Sequence, residues 1–339
     1  MIGTPDYEHG HAIKKIIDES NHIVIIQADN PDADSLASAL ALEDILENQG
    51  KKVTLYCGID ISRYLKYIPG ADRVTKDLPN SFDAAILVDC SSINLLEQLE
   101  KTNSIGSLRT RPFIIIDHHQ IENTITINNT ALIDPESVST GEVIYLLSKQ
   151  IGWELTKESA SLLTTSILAD SLGFSTEKTS SRSLRVVADL IDIGSNLALL
   201  DEVRRSSMSK PIEIISYKGR LLQRIEYFND NQVAMIHIPW EETTKYSPLF
   251  NPAVLVLEEL RNAEKVKLSI VLKSYPDGKI TGKLRSNYGS TIAGAVAEHF
   301  GGGGHPSASG FKTHDYNLEQ IKKEIFTITN ELLQKEIKS

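Results

Sequence analysis

Ile23-Val24-Ile25-Ile26-Gln27-Ala28-Asp29-Asn30-Pro31-Asp32-Ala33-Asp34 is the stretch on which the fold turns. Its first four residues are apolar and mostly β-branched, with no polar alternation, which is the pattern of a strand covered on both faces. An acidic segment follows. Then Ser35 to Gln49 reads as a helix rich in Ala, Leu and Glu, closed by Gly50. Three more short apolar runs, Val53 to Cys57, Ala84 to Val88 and Phe113 to Ile116, repeat the strand pattern. Helices between such strands imply a parallel sheet.

Outward from that core the chain has 339 residues, enough for two domains. Ser139-Thr140-Gly141-Glu142 reads as a capping box opening a helix to about Ile151. Helices are expected over Lys157 to Asp170, Ser183 to Ile193 and Lys210 to about Ile225. Strands are expected at Val233 to Ile238, Val266 to Lys273 and Lys279 to Arg285, the last two joined by the turn Tyr275-Pro276-Asp277-Gly278. Two helices follow, Thr291 to His299 and Leu318 to Lys335, with a glycine-rich loop between them. The expected class is α/β: a parallel-sheet N-terminal domain (1–195), a helical connector (196–222) and a smaller α+β C-terminal domain (223–339). A cleft between the domains is the expected site.

The net charge is −10 and the pI about 5.4, which argues against a protein that coats long duplexes. It leaves room for a short phosphate ligand held by a local basic cleft or by metal ions. Cys57 and Cys90 each end a strand-like run outside any CxxC pair and read as buried free thiols of a reducing compartment. Neither a signal peptide nor an apolar run long enough to span a membrane is visible. The expectation is a soluble, cytoplasmic protein.

The strand ends concentrate acids. Asp32 and Asp34 follow the first strand, Asp89 the third, and Asp117-His118-His119 the fourth. In an open α/β sheet ligands bind at the carboxyl ends of strands, so Asp32, Asp34, Asp89 and His118 should meet at one spot, with Asp170 from a later helix. Each residue alone has a plainer reading: Asp32 or Asp34 as a helix cap, Asp89 as a turn former, the histidine pair as solvated or packed. Together they would repel unless cations were present. Carboxylate with imidazole suits Mn²⁺, with Mg²⁺ or Fe²⁺ less clearly matched. Two such ions ~3.5–4 Å apart serve phosphoryl transfer by activating a water and stabilising the leaving oxygen.

Asn30-Pro31-Asp32-Ala33-Asp34, Asp89, Asp117-His118-His119 and Asp170-Ser171-Leu172-Gly173-Phe174 resemble the four motifs of the DHH phosphoesterases. Lys283-Leu284-Arg285-Ser286 and Gly301-Gly302-Gly303-Gly304-His305-Pro306-Ser307-Ala308-Ser309-Gly310 resemble the signature of the DHH-associated C-terminal domain. The order is right over nearly the whole chain, and the nanoRNase and pAp-phosphatase branch is the nearest likeness. The resemblance implies that Asp34, Asp89, His118 and Asp170 hold one metal and that Asp32 and Asp89 hold a second. It implies that His119 contacts the substrate phosphate, beside Asp89 as a catalytic group. It also implies metal-activated water acting on short RNA or DNA oligonucleotides, linear dinucleotides or 3′-phosphoadenosine 5′-phosphate, and it allows a homodimer. One position departs: Ala28 stands where family members usually carry His. Asp29 or Gln27 would then replace it, a histidine of the tail (His9 or His11) is a poorer candidate, or one metal site is weak or absent. The alternatives are a cyclic-dinucleotide phosphodiesterase and a degenerate member that binds nucleotides.

On the substrate side, four glycines before His305 free the backbone to approach a ligand, the other reading being a flexible loop. Arg285 suits a phosphate by its bidentate fork. With Arg285, the expected substrate residues are Ser286, Gly302, Gly303, Gly304, His305 and Arg182. Basic residues from Arg261 to Arg285 outnumber acids, a local positive patch. Tyr288 and Phe311 flank the glycine run, either to stack on a base or to fill the core.

Overall fold

The computed structural model describes residues 6–336 apart from 103, 121, 122, 208 and 288. The chain divides into two compact units, Met1–Met208 and Ser209–Ser339. In chain order the first contains α1 (Gly10–Asp18), β1 (His22–Ile26), α2 (Ala33–Glu47), β2 (Lys52–Tyr56), β3 (Ala84–Val88), α3 (Glu97–Lys101), α4 (Ile105–Leu108), β4 (Phe113–Asp117), β5 (Thr130–Ile133), α5 (Thr140–Ile151), α6 (Lys157–Asp170), α7 (Ser181–Ile193) and α8 (Leu197–Ser207).

Its sheet is wholly parallel with strand order β2-β1-β3-β4-β5. The unalternated apolar runs are explained by cover on both faces. Ile23, Ile25, Ile86, Val88, Ile114 and Ile116 meet the layer of α1, α2, α5, α6 and α7. Val24, Ile26, Leu87 and Ile115 face the other way, against Leu96, Leu99 and Leu108. The chain leaves β1 for β2 on one side and returns to β3 on the other, so the order reverses between β1 and β3. That switch point opens a crevice at the strand ends, and the acidic segment after β1 and Asp89 after β3 sit at its two lips.

The second unit contains α9 (Ile212–Leu222), β6 (Glu226–Phe228), β7 (Val233–Ile238), α10 (Trp240–Tyr246), α11 (Pro252–Arg261), β8 (Leu268–Ser274), β9 (Ile280–Ser286), α12 (Ile292–His299), β10 (Gly303–His305), β11 (Ala308–Thr313) and α13 (Leu318–Glu336). Its six strands run β10-β11-β9-β8-β7-β6, all antiparallel except β7 with β8. One face is covered by α12 and α13 and the other by α9 and α11. The stretch expected as a connector is two helices with different allegiances. α8 lies in the first unit, whereas Ile214, Tyr217 and Leu221 of α9 are buried in the core of the second.

The glycine run is not a loop between helices. Gly303–His305 is the edge strand β10, turned back on β11 through Pro306 and Ser307. Its shortness and lack of apolar residues hid it from a periodicity reading. The capping box at α5 is half formed: the Ser139 hydroxyl accepts from the Glu142 N–H, but the Glu142 carboxylate turns elsewhere. It accepts from the Val138 N–H, the Ser183 hydroxyl and Arg182 Nε, the last at 2.8 Å. Arg182 also donates to the Ser137 hydroxyl at 2.9 Å and to Asp134 at 3.3 Å, while the Tyr7 hydroxyl donates to Asp134 at 2.8 Å. Two buried carboxylates need a cation, and the structure places the Arg182 guanidinium on them, between α5 and α7.

Removing that cation should leave Glu142 buried without its countercharge. Arg182→Met is expected to lower stability by about 3–5 kcal/mol in urea unfolding, with Arg182→Lys in between. A change near zero for the Met variant would show that the network does not join the two helices.

Candidate metal centre

Three neighbouring strands deliver the site. β1 leads into the Asp29–Asp34 segment, β3 ends at Asp89, and β4 ends at Asp117, followed by His118 and His119. The order β1-β3-β4 makes these ends adjacent. Asp34 lies in the first turn of α2 and is 1% exposed. Asp89 has a φ of 57°, a left-handed backbone that Asp tolerates better than most residues. Asp170 is the last residue of α6.

His118 Nε2 is the hub. It lies 3.6 Å from Asp34 Oδ2, 3.6 Å from Asp89 Oδ1 and 3.3 Å from Asp170 Oδ2, yet it is buried with no hydrogen-bond partner among the described residues. Its other nitrogen, Nδ1, is 3.3 Å from the Ser137 carbonyl, which as an acceptor leaves the lone pair on Nε2. The donor atoms of Asp34, His118 and Asp170 lie within 4.8 Å of one another, and so do those of Asp89, His118 and His119. An orphaned imidazole nitrogen inside a ring of carboxylates is a donor set for a divalent cation. The residues present fit such an ion.

Electrostatics supports this. Burial pushes the Asp34 and Asp170 carboxyls up to about 6, and burial with the charge of Asp34 pushes Asp89 well above the usual range. Burial and the charge of His119 lower His118. His119 behaves oppositely: a 2.7 Å contact between its Nδ1 and Asp117 Oδ1 raises it. Asp117 is fully buried, which pushes it up, but the hydrogen bond and charge of His119 and the N–H of His119 prevail and hold it below the ordinary value.

The other expected residues are placed as follows. Asp32 is exposed at the rim, its Oδ1 accepting from the Ser35 N–H at 3.0 Å as the cap of α2. Its charge reaches Asp34, Asp89 and Asp170. Ala28 is buried among Tyr56, Phe82 and Cys90. Asp29 Oδ2 accepts from the Gln98 N–H at 2.8 Å. Gln27 is fully buried, and neither polar atom of its amide has a partner among the described residues. His9 and His11 are exposed beside and on α1. Sequence reasoning missed Thr140, whose two donors reach Asp34 and Asp89. It missed Ser166, which donates to Asp34 at 2.5 Å. It also missed the exposed Lys178, whose charge is felt at His118. A cavity of about 580 Å³ is lined by Ala33 and Ala169, the chain neighbours of Asp34 and Asp170, and by Tyr64, Tyr67 and Leu172.

In the second unit the register puts His305 opposite Ala308 and Ala308 opposite Arg285, so His305 and Arg285 share a face about 10 Å apart. Lys283 and Gly303 lie two residues along on that same face. It is the face away from α12, towards which Leu284 and Phe311 point. Neither Lys283 nor Arg285 pairs with a carboxylate among the described residues, whereas Arg261, Lys267 and Lys279 do. Ser307 N–H donates to His305 Nδ1 at 3.3 Å. Ser286 is spent structurally, donating to the Pro306 carbonyl and accepting from the Ala293 N–H. Phe311 is core, stacked on Phe300; Tyr288 lies outside the described residues. Two glycines differ in kind. A Cβ at Gly302 would fall 2.2 Å from the Gly310 carbonyl oxygen, whereas one at Gly303 would meet nothing within 4 Å.

Comparison with known proteins agrees with this architecture. The chain is 25% identical over 310 residues to the bifunctional oligoribonuclease and PAP phosphatase NrnA of Thermus thermophilus, covering 90% of this chain and 88% of that protein. It is 22% identical over 338 residues to the cyclic-di-AMP phosphodiesterase PdeA of Listeria monocytogenes, covering 93% of this chain and 48% of that one. The crystal structure of an exopolyphosphatase-related protein from Bacteroides fragilis shares the fold with a TM-score of 0.76 at 22% identity, over 96% of this chain and 97% of that one. The model of the DHH family, N-terminal domain, matches residues 22–167, and that of the DHHA1 domain matches residues 253–331, together about two thirds of the chain. With its aspartates and paired histidines at the ends of three adjacent parallel strands, the chain belongs to the DHH family of phosphoesterases.

Proposed function

We propose that this enzyme hydrolyses the phosphate ester of a short substrate: an oligoribonucleotide of a few residues, a linear dinucleotide or 3′-phosphoadenosine 5′-phosphate, with Mn²⁺ as its metal and Mg²⁺ as the alternative. The observation that carries the reading is the unpartnered His118 Nε2, ringed by Asp34, Asp89 and Asp170 at 3.3–3.6 Å. Those four residues would hold one ion, and Asp32 with Asp89 the second. A divalent cation there supplies positive charge against the carboxylates and Lewis acidity towards the phosphate. Asp117 raises the proton affinity of His119, and in its protonated form the Nε2–H would donate to a phosphate oxygen or to the leaving oxygen. Lys283, Arg285 and His305 of the second unit, with Gly303 between them, suit the phosphate of such a substrate. The two buried, unpaired cysteines suit the cytoplasm.

Purified protein with Mn²⁺ should release mononucleotide from a 5′-labelled RNA dinucleotide, and Asp89→Asn should lower the rate by more than about 10²-fold. Cyclic di-AMP, the substrate that the name of PdeA carries, serves as the second arm. Turnover of the cyclic compound above the linear one would move the substrate to the cyclic class. No turnover of dinucleotide, cyclic compound or 3′-phosphoadenosine 5′-phosphate would overturn hydrolysis.

The two glycines separate fold from ligand approach. Gly302→Ala should lower the melting temperature, because its Cβ collides with backbone. Gly303→Ala should melt like the parent while KM for the dinucleotide rises several-fold. An unchanged KM would remove β10 from the substrate site.

The raised carboxyls also set a pH dependence. Asp170 has a folded value of about 6 against an ordinary carboxylate near 4. Between these values the folded metal-free chain holds a proton that the unfolded chain has lost. Its contribution to stability is therefore present at low pH and lost as pH rises through about 6. Metal-free Asp170→Asn should be more stable than the parent at pH 7.5, by on the order of 1 kcal/mol after allowing for the exposed part of the side chain. The two should converge by pH 4, and added Mn²⁺ should reverse the order at pH 7.5. Chelator-treated melts at both pH values read this, and equal stabilities throughout would contradict it.

A further inference from the structure

We propose that Thr140 is a positioning residue that sets the spacing of the carboxylates in the metal centre. This rests on the metal-dependent reading above. Thr140 is fully buried and opens α5. Its backbone N–H donates to Asp34 Oδ2 at 2.9 Å, and its hydroxyl donates to Asp89 Oδ1 at 3.0 Å. Asp34 comes from the first turn of α2 and Asp89 from the end of β3, so no shared element fixes their separation. One residue bridges them through two donors whose relative positions are locked by a single staggered side-chain torsion.

The neighbourhood makes this a deliberate clamp. The next N–H of α5, from Gly141, donates to the Ser166 hydroxyl at 3.0 Å, and that hydroxyl donates to Asp34 Oδ1 at 2.5 Å. Two of the unpaired N–H groups at the start of α5 are thus directed, straight or through one hydroxyl, at the same carboxylate. On the other side of the cap, the Ser137 carbonyl lies 3.3 Å from His118 Nδ1 and the Val138 N–H is held by Glu142. The run from Ser137 to Thr140 therefore touches His118, Asp34 and Asp89. It is the surface against which those three are aligned. Thr140 alone in that run holds two of them.

The hydroxyl matters separately from the N–H. Asp89 sits in a left-handed backbone conformation at 57°, where the strand ladder no longer dictates its side-chain direction. Within the described hydrogen bonds, the Thr140 hydroxyl is what holds its carboxylate. It occupies one edge of Oδ1 and leaves the rest of the carboxylate for an ion. Losing it would let Asp89 rotate away from His118. In metal sites, loss of such an orienting partner lowers affinity about 10–100-fold.

The test is Mn²⁺ affinity of the purified full chain, read from the electron paramagnetic resonance signal of free Mn²⁺, beside steady-state kinetics on the RNA dinucleotide. Thr140→Val keeps shape and the N–H but deletes the hydroxyl, and Thr140→Ser restores it. The expected result is a Mn²⁺ dissociation constant raised about tenfold or more in the Val variant and within about twofold of the parent in the Ser variant. The Val variant should lose kcat at saturating metal with KM little changed. If the Val variant does not fold, Thr140→Ala deletes the same hydroxyl without pressing a methyl on Asp89 and takes its place, with melting temperatures recorded throughout. Parent-like Mn²⁺ affinity in a folded Val or Ala variant overturns the proposal. Equal losses in the Ser and Val variants also overturn it, because packing and not the hydroxyl would then be at work. Failure of the parent itself to bind Mn²⁺ would instead overturn the metal-dependent reading, so the two failures are distinguishable.

Discussion

Carboxylates that converge in a buried crevice repel one another, and the first unit is organised around that repulsion. The order β2-β1-β3-β4-β5 places the reversal of the sheet between β1 and β3 and so creates the crevice. The same order delivers Asp34, Asp89 and Asp170 to within 3.6 Å of one imidazole nitrogen. Part of the repulsion is met by the protein. Asp34 lies at the start of α2 and receives an N–H from the start of α5, so the positive ends of two helices face it. Asp170 has the opposite placement, at the last residue of α6 where the helix end is itself negative. Burial and the charge of Asp34 outweigh the attraction of His118 and His119, and the carboxyl rises to about 6. On the proposed reading the group is placed for a cation.

Asp117 shows that burial alone does not decide the state of an acid. Both it and Asp89 are buried, yet it is held below its ordinary value while Asp89 is held well above. The difference lies in donors. Asp117 Oδ1 takes the N–H of His118, the N–H of His119 and the ring of His119. The consecutive histidines are split by the same device. His118 turns inward, loses charge and offers a lone pair, whereas Asp117 raises the proton affinity of His119. Titratable neighbours driven in opposite directions mark distinct chemical roles. On the proposed reading the division is between a residue that would bind an electrophile and one that would donate a hydrogen bond.

Much of this was legible in the sequence, and what escaped did so for physical reasons. Unalternated apolar runs gave the three inner strands β1, β3 and β4 because two-sided burial leaves a period-free signature. The acids and histidines at their ends were legible because strand ends in such sheets have a fixed use. β10 escaped because an edge strand of Gly-Gly-His carries neither hydrophobic period nor β-propensity. α8 and α9 could not be told apart as belonging to different units, since allegiance is decided by which core Ile214, Tyr217 and Leu221 enter. The pairing of Arg182 was not legible because its partners, Asp134 and Glu142, are 48 and 40 residues away in sequence. Thr140 was visible only as part of a capping motif. Its bonds to Asp34 and Asp89 span 106 and 51 residues, and no local pattern encodes them.

The charge balance of the whole chain bears on which phosphates the site can take. A net charge of −10 surrounds any polyanion with a repulsive field, and that field acts on every phosphate a ligand carries. On the proposed reading, attraction comes from an ion that the residues around His118 would hold and from the face of Lys283, Arg285 and His305. A long strand would gain from those few contacts and lose at the rest of the surface, whereas a mono- or dinucleotide gains from them and has little else to lose. Salt separates the cases, since a ligand gripped through many backbone phosphates weakens steeply with ionic strength and one gripped at a few weakens little. On the proposed reading, preference for short substrates needs no steric block. It follows from placing a small positive site in an acidic protein.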